Sequence, residues 1–383
     1  MSKRIMIAGC IAGAGPGYGG NTWAFLQYIL GLRRLGFDIY YVEQIADEKC
    51  VDEKGRRVSF NDSVNASQFR GLLDRFALVD HAALFDGAGS NSVGLSREEI
   101  DKLVPDIDLL INLSGILRLD FILSKVRKRM YLDMDPGYTQ MWHDLGFNIH
   151  LAGHDVYVTT GLNVGRTDCP LPTCGIRWDT TLPPVVLSEW VSEQPPGSAY
   201  TTVADWRGFK PLQWRGVWSG QKADEFLRLI DLPRRVPVPL EICLLINSNE
   251  TARSELEQHR WRLVSPQDHA STSDAYRKYI LGSRGEFTVV KGGYTAGRTG
   301  WFSDRSGCYL AAGRPVIIQD TGIGKYLPTG SGLLIFTDID SAAEAIDNVE
   351  KDYGRQAAAA ASFAREYLDS DRVLSRLVSL AGI

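Results

Sequence analysis

The chain has 383 residues, 44% of them hydrophobic and 23% charged, with a formal net charge of −4. That length exceeds what one core usually serves, so two domains of roughly 150 to 200 residues each are expected. The charge balance offers no polyanion field, and no apolar run approaches the roughly 18 residues of a membrane span, so neither nucleic acid nor a transmembrane segment is expected. The opening stretch Ile5-Met6-Ile7-Ala8-Gly9 is too short for a signal peptide and ends in glycines, so a first strand is expected there and, with the reduced thiols below, a cytoplasmic protein. Six cysteines are scattered without paired spacing except Cys169 and Cys174, so reduced thiols are expected rather than a disulfide or zinc site.

Along the chain, strands alternate with helices twice over. Residues 4–10 read as a buried strand, and 22–35 carry Trp23, Phe25, Leu26, Ile29 and Leu32 at helical spacing before Gly36 stops the helix. Residues 37–42 are strand again, 67–78 and 96–103 are helical by pattern, and 107–113 and 129–134 are short apolar runs. After the Pro- and Ser-rich stretch 180–200 the theme repeats: strands at 201–204, 240–246, 287–290 and 315–318, and helices at 222–230, 274–281 and 306–312. The expected architecture is α/β, two doubly wound parallel sheets facing each other across a cleft. Its boundaries are an N-terminal domain over 1–190, a C-terminal domain over 191–365, and a last helix over 366–383 that packs back on the N-terminal domain.

Open parallel sheets bind ligands beyond their strand carboxyl ends, so the chemistry should sit just after strands. After the first strand comes a glycine-rich loop that includes Gly17, Gly19, Gly20 and Asn21. Its glycines allow close approach to a ligand or a facing loop, against the plainer expectation of a flexible connection capped by Asn21 or Thr22. The loop is too long for the dinucleotide fingerprint, and Glu43 after the second strand is a weak candidate for its acidic residue. In the second half, Arg207 follows a strand and Lys222 opens a helix. With Ser303, Asp304, Arg305 and Ser306 at the start of a further helix, these residues suit a diphosphate, although solvated surface charge is the usual fate of Arg and Lys. The tetrapeptide Gln319-Asp320-Thr321-Gly322 ends the strand at 315–318, placed either to meet polyol hydroxyls or to form a turn capped by Asp320. Trp142, Trp178, Trp190, Trp206, Trp214 and Trp218 either stack on an acceptor or fill core.

The strand-Arg207 and Lys222-helix pairing, the run Tyr309-Leu310-Ala311-Ala312-Gly313-Arg314-Pro315-Val316, and Leu333-Leu334-Ile335-Phe336 before a helix at 341–349 resemble the donor domain of GT-B fold glycosyltransferases. Motif by motif the resemblance covers about 200–350, and it extends to the bacterial family 1 and CgeB-like members. It implies a nucleoside-diphosphate sugar, with UDP or dTDP, as donor substrate, no further cofactor, and an arginine and a lysine on the diphosphate. Many relatives carry a ribose-binding glutamate where this chain has Cys308, which leaves Glu286 or Asp320 for the ribose. Transfer also needs a base for the acceptor hydroxyl. Asp135 is the first candidate and His143 the second, while Asp135 starting a turn before Pro136-Gly137 is the competing expectation. No metal motif appears, so a metal-independent glycosyltransferase is expected, acting on a small-molecule, peptide or saccharide acceptor. A nucleotide-sugar epimerase of the same fold and a non-catalytic binding protein are the alternatives.

Overall fold

The computed structural model describes residues 2–15, 17–248 and 250–383. Among them β1 (Arg4–Gly9), β2 (Asp38–Gln44), β3 (Ala82–Phe85), β4 (Ser92–Gly94), β5 (Leu109–Leu113), β6 (Arg129–Asp133), β7 (Val156–Thr159) and β8 (Asp179–Thr180) form one sheet. Its order is β4-β3-β2-β1-β5-β6-β7-β8, parallel throughout except that β4 runs antiparallel to β3. The central strands are mainly apolar because helices cover both faces; every residue of β5 is buried, Asn112 included. The short strands β3 and β4 fall where the sequence pattern indicated no strand.

The second half contains β9 (Tyr200–Asp205), a hairpin of β10 (Leu212–Trp214) and β11 (Val217–Ser219), then β12 (Leu240–Leu245), β13 (Arg262–Val264), β14 (Gly285–Thr288), β15 (Val316–Gln319) and β16 (Leu333–Phe336). Without the hairpin these make a fully parallel sheet ordered β13-β12-β9-β14-β15-β16. Both sheets are therefore Rossmann-like. In each, the first strand is flanked by the second on one side and a later strand on the other, and the crevice opens where the order reverses.

The halves meet through the first helix, Gly19–Arg34. The Gly19 amide donates to the Ala270 carbonyl (2.8 Å), and Trp23 Nε1 donates to the Ser273 carbonyl (2.8 Å). A Cβ on Gly19 would overlap the Thr272 carbonyl, and one on Gly20 would come within 2.7 Å of the Tyr276 ring. The same helix receives the C-terminal helix Ser370–Leu380: Leu374 and Ser370 face Gly31, and Arg34 pairs with Asp371. The chain crosses between halves twice at one place, where Val185 exchanges backbone hydrogen bonds with Leu368 (2.7 Å) and Ser370 (2.9 Å).

The loop after β1 is held from below. Glu43, fully buried at the end of β2, accepts hydrogen bonds from the amides of Ile11 (2.8 Å), Ala12 (3.1 Å) and Gly13, and from the Tyr41 hydroxyl (2.8 Å). The amides that such a loop offers to a ligand phosphate are thus occupied by the chain's own carboxylate. Glu43→Ala leaves several buried donors unpaired, each costing about 1 to 3 kcal/mol, so we expect a loss of at least about 3 kcal/mol in urea denaturation. A loss under 1 kcal/mol would contradict this role.

Candidate functional site

A cleft of about 1020 Å³ opens between the carboxyl ends of the two sheets. Its N-terminal wall comes from the β1 and β5 ends, with Cys10, Asn21, Ser114 and Ile116, and from Met134 and Asp135 just past β6. Its C-terminal wall carries Asp205 at the end of β9, Lys222 at the start of helix Lys222–Arg228, and Lys291 after β14. Both reversal points of strand order therefore face one cavity.

The cations of this wall differ in how they are matched. Lys222 has no carboxylate within 4.0 Å and no hydrogen bond to another side chain among the described residues. Burial, with repulsion from Arg305 and Lys291, pushes its ammonium from 10.5 to about 7, against the opposing pull of Asp205 and Glu286. Lys291 is also pushed down by burial and held up by Asp135 and Asp205. Its Nζ lies 3.8 Å from Asp135 Oδ1 and 3.5 Å from the centre of the Phe209 ring. Asp205 is raised by burial and pulled back by Lys222, Lys291 and Arg305 in turn. Lys222 is thus a half-buried cation on the cleft wall without an adjacent counter-ion, an arrangement that recurs at anion-binding sites.

Several residues singled out in the sequence have other partners. Arg305 is drawn inward: Nε donates to Glu286 Oε1 (2.5 Å), and the terminal nitrogens donate to the Val203 carbonyl (2.8 Å) and Thr288 Oγ1 (2.8 Å). Arg305 reaches the cleft wall, but three of its five N–H groups are committed. Glu286 is wholly buried beneath it and does not line the cleft, so it cannot meet a ribose. Arg207 sits at the rim, 54% exposed, in a forked pair with Glu250. At the helix Asp304–Ala311, burial raises the Asp304 carboxyl, with Arg305 and the first backbone amides opposing it; Ser303 and Asp304 line the cleft, and Ser306 is buried away from it.

The tetrapeptide is a structural turn. Gln319 accepts from the Val290 amide (3.1 Å) and donates to Glu225 (2.7 Å), Asp320 Oδ1 accepts from the Gly322 amide (2.8 Å), and Thr321 Oγ1 donates to the Trp301 carbonyl (2.7 Å). None of residues 319–322 lines the cleft. His143 is exposed on helix Tyr138–Asp144 and is likewise absent from the wall. Trp190, Trp206 and Trp214 are core, Trp178 is nearly so, and Trp142 packs on Phe209; the Trp218 side chain lies outside the described residues. Trp301, by contrast, lines the cleft stacked on Tyr294 at 4.2 Å and 14°.

Asp135 does face the cavity. Asp133, the buried last residue of β6, takes Thr139, Gln140 and Thr159 side chains and the Asp135 amide, which fixes the turn after β6. Asp135 Oδ1 accepts from Tyr294 (2.7 Å), while Oδ2 has no protein donor among the described residues. Lys291 and Asp205 escaped the sequence reading. The signal for Lys291 was present: a lysine directly after a buried strand and before Gly292-Gly293, where a Cβ would come within 2.6 Å of the Gly220 amide and 2.7 Å of the Tyr138 ring.

Similar architectures are found among solved structures. HepE from Anabaena in complex with UDP and glucose superposes with a TM-score of 0.57 at 12% identity, covering all of both chains. An alpha-glucosyltransferase in complex with UDP-glucose and DNA containing an abasic site gives 0.56 at 12%, again over all of both chains. AviGT4, a glycosyltransferase involved in avilamycin A biosynthesis, gives 0.57 at 11% over 100% of this chain and 99% of that one. The chain has the GT-B fold. No protein-family profile matches it, and no curated protein sequence does. No helix among the described residues is long and apolar enough to cross a membrane.

Two predictions rest on this geometry. Because the folded-state value for Lys222 lies below the unfolded one, the unfolded chain holds a proton that the folded chain has lost between pH 7 and 10.5. Lys222 therefore makes stability rise across that window, and Lys222→Met should flatten the rise in denaturation measured at pH 7, 8 and 9. An unaltered pH profile would refute the desolvated lysine. Asp320→Ala should cost about 0.5 to 1.5 kcal/mol of stability by releasing the Gly322 amide, and a thermal melt identical to the parent would refute the turn.

Proposed function

We propose that this protein is a glycosyltransferase that moves a sugar from a nucleoside-diphosphate sugar, with UDP or dTDP as the nucleotide, to a hydroxyl or other nucleophile of a small-molecule, peptide or saccharide acceptor. The observation that carries this reading is Lys222, an unmatched and desolvated ammonium where two Rossmann-like sheets face each other across a cavity large enough for a nucleotide sugar. The UDP and UDP-glucose held by two proteins of the same fold support the donor class.

In this reading the diphosphate lies against the C-terminal wall and Lys222 stabilises the charge that grows as the bond from the sugar to the diphosphate breaks. The acceptor enters along the N-terminal wall, beside Ser114 and Asp135. Its oxygen forms the new bond to the anomeric carbon, the diphosphate oxygen leaves with the electron pair, and the proton passes to the free Oδ2 of Asp135. Protein cations supply the charge stabilisation, so the reaction needs no metal and no further cofactor.

Incubation with UDP-, dTDP- and GDP-sugars should release nucleoside diphosphate, faster with a suitable acceptor and undiminished by EDTA. Lys222→Met should weaken nucleoside diphosphate binding by about tenfold or more, as loss of a charge-assisted contact implies. Sugar isomerisation without release would mark an epimerase, binding without turnover a non-catalytic protein, and loss in EDTA restored by magnesium a metal requirement. Binding of UDP near pH 8 should also draw a proton onto Lys222, seen as a calorimetric heat that differs between buffers of unequal ionisation enthalpy.

A further inference from the structure

We propose that Lys291 is the second cation of the diphosphate site and that it is shared, held by Asp135 when the site is empty and drawn to the phosphates when it is filled. The inference rests on the donor reading above and adds to it a residue, a competition and a direction. Sequence spacing gives the second phosphate contact to Arg207, but that guanidinium is more than half exposed at the rim and forked onto Glu250. Arg305 is spent mainly on Glu286, Val203 and Thr288. Of the cations reaching the cleft wall beyond β9 and β14, Lys291 remains alongside Lys222. Both line the same cleft and the charge of Lys291 disfavours a proton on Lys222, so an anion placed between them satisfies both.

Lys291 is built into its position. It follows β14 after the two buried residues Val289 and Val290, and the following Gly292 amide donates to the Gly220 carbonyl (3.1 Å), which ties its backbone to the turn that precedes Lys222. The stem runs past Phe209, with Nζ 3.5 Å from the ring centre. At 3.8 Å the contact with Asp135 is an ion pair without a direct hydrogen bond, and Asp135 Oδ1 already accepts from Tyr294 at 2.7 Å. A diphosphate, with more charge and unsatisfied oxygens, outcompetes a carboxylate so placed.

The arrangement couples the two ends of the reaction. While Lys291 faces Asp135 its ammonium lies against the carboxylate. Once the donor's phosphates draw the ammonium away, the carboxylate is left open to the acceptor, and Lys291 meets the charge on the departing diphosphate oxygen.

The competition gives the test its sign. Asp135→Asn removes the rival anion, so calorimetric affinity for UDP should rise by about threefold or more while transfer is lost. Lys291→Met should lower UDP affinity by about tenfold or more, Lys291→Arg should restore much of it, and Arg207→Ala should change it less than twofold. In the double variant the Asp135→Asn gain should vanish, because it acts only through Lys291. Thermal melts of each variant identify any that fail to fold; Lys291→Arg and Asp135→Asn preserve charge or shape and still decide the question. Unchanged or weaker UDP binding in Asp135→Asn, or a loss in Arg207→Ala equal to that in Lys291→Met, overturns the proposal. Absence of nucleoside diphosphate binding by the parent protein fails the donor reading itself, a different outcome.

Discussion

Parallel strands cannot be joined by tight turns, so each crossover returns the chain to the same edge and every strand delivers its carboxyl end to one side of the sheet. Both sheets of this protein obey that constraint, and each reverses its strand order beside its first strand. A crevice must open at each reversal, and with the two carboxyl edges facing, the crevices merge into one cavity. Side chains at the end of a strand or up to three residues beyond it then reach that cavity from a rigid base, as Asp135, Asp205 and Lys291 do.

Within that frame, what distinguishes scaffold from site is whether a charge is matched. The Arg305–Glu286 pair is buried and reinforced by Val203 and Thr288, as a buried ion must be, although Glu286 Oε2 still lacks a partner. It secures the helix Asp304–Ala311 to β14 and β9. Arg207–Glu250 is matched in water and contributes little to the fold. Lys222 is unmatched and only partly solvated, and a fold tolerates such a group where a ligand supplies the missing charge. Lys291 stands between these cases.

The architecture was legible because it depends on periodicity: apolar runs of strand length alternating with amphipathic helices leave few alternatives to parallel sheets covered on both faces. Strands such as β4, three residues long on an edge, carry too little pattern to be seen. The placement of the candidate side chains was legible in part. Lys222 and Asp135 line the cleft, as residues that follow a strand or open a helix should. Pair choice was not, because it is decided across the fold: Gln319 meets Glu225, 94 residues away, and Arg305 meets Glu286, so residues that look free in sequence are spent in space. His143 shows the converse, a chemically suitable side chain that helical phase turns to solvent. Lys291 was missed because lysine after a strand is ordinary unless the two glycines beyond it are read as clearance for packing.

The paired crossings at Val185 and residues 368–370 have a mechanical consequence. A body attached to another by a single strand can swivel about many directions, whereas two strands bound side by side restrict that freedom. The halves are joined a second time where the Leu162 and Asn163 amides donate to the Gly300 and Thr299 carbonyls. The walls that carry Asp135 and Lys291 are thus stitched together at two separate seams, so the ammonium can leave the carboxylate by rotation of its own flexible stem while both sheets stay where they are.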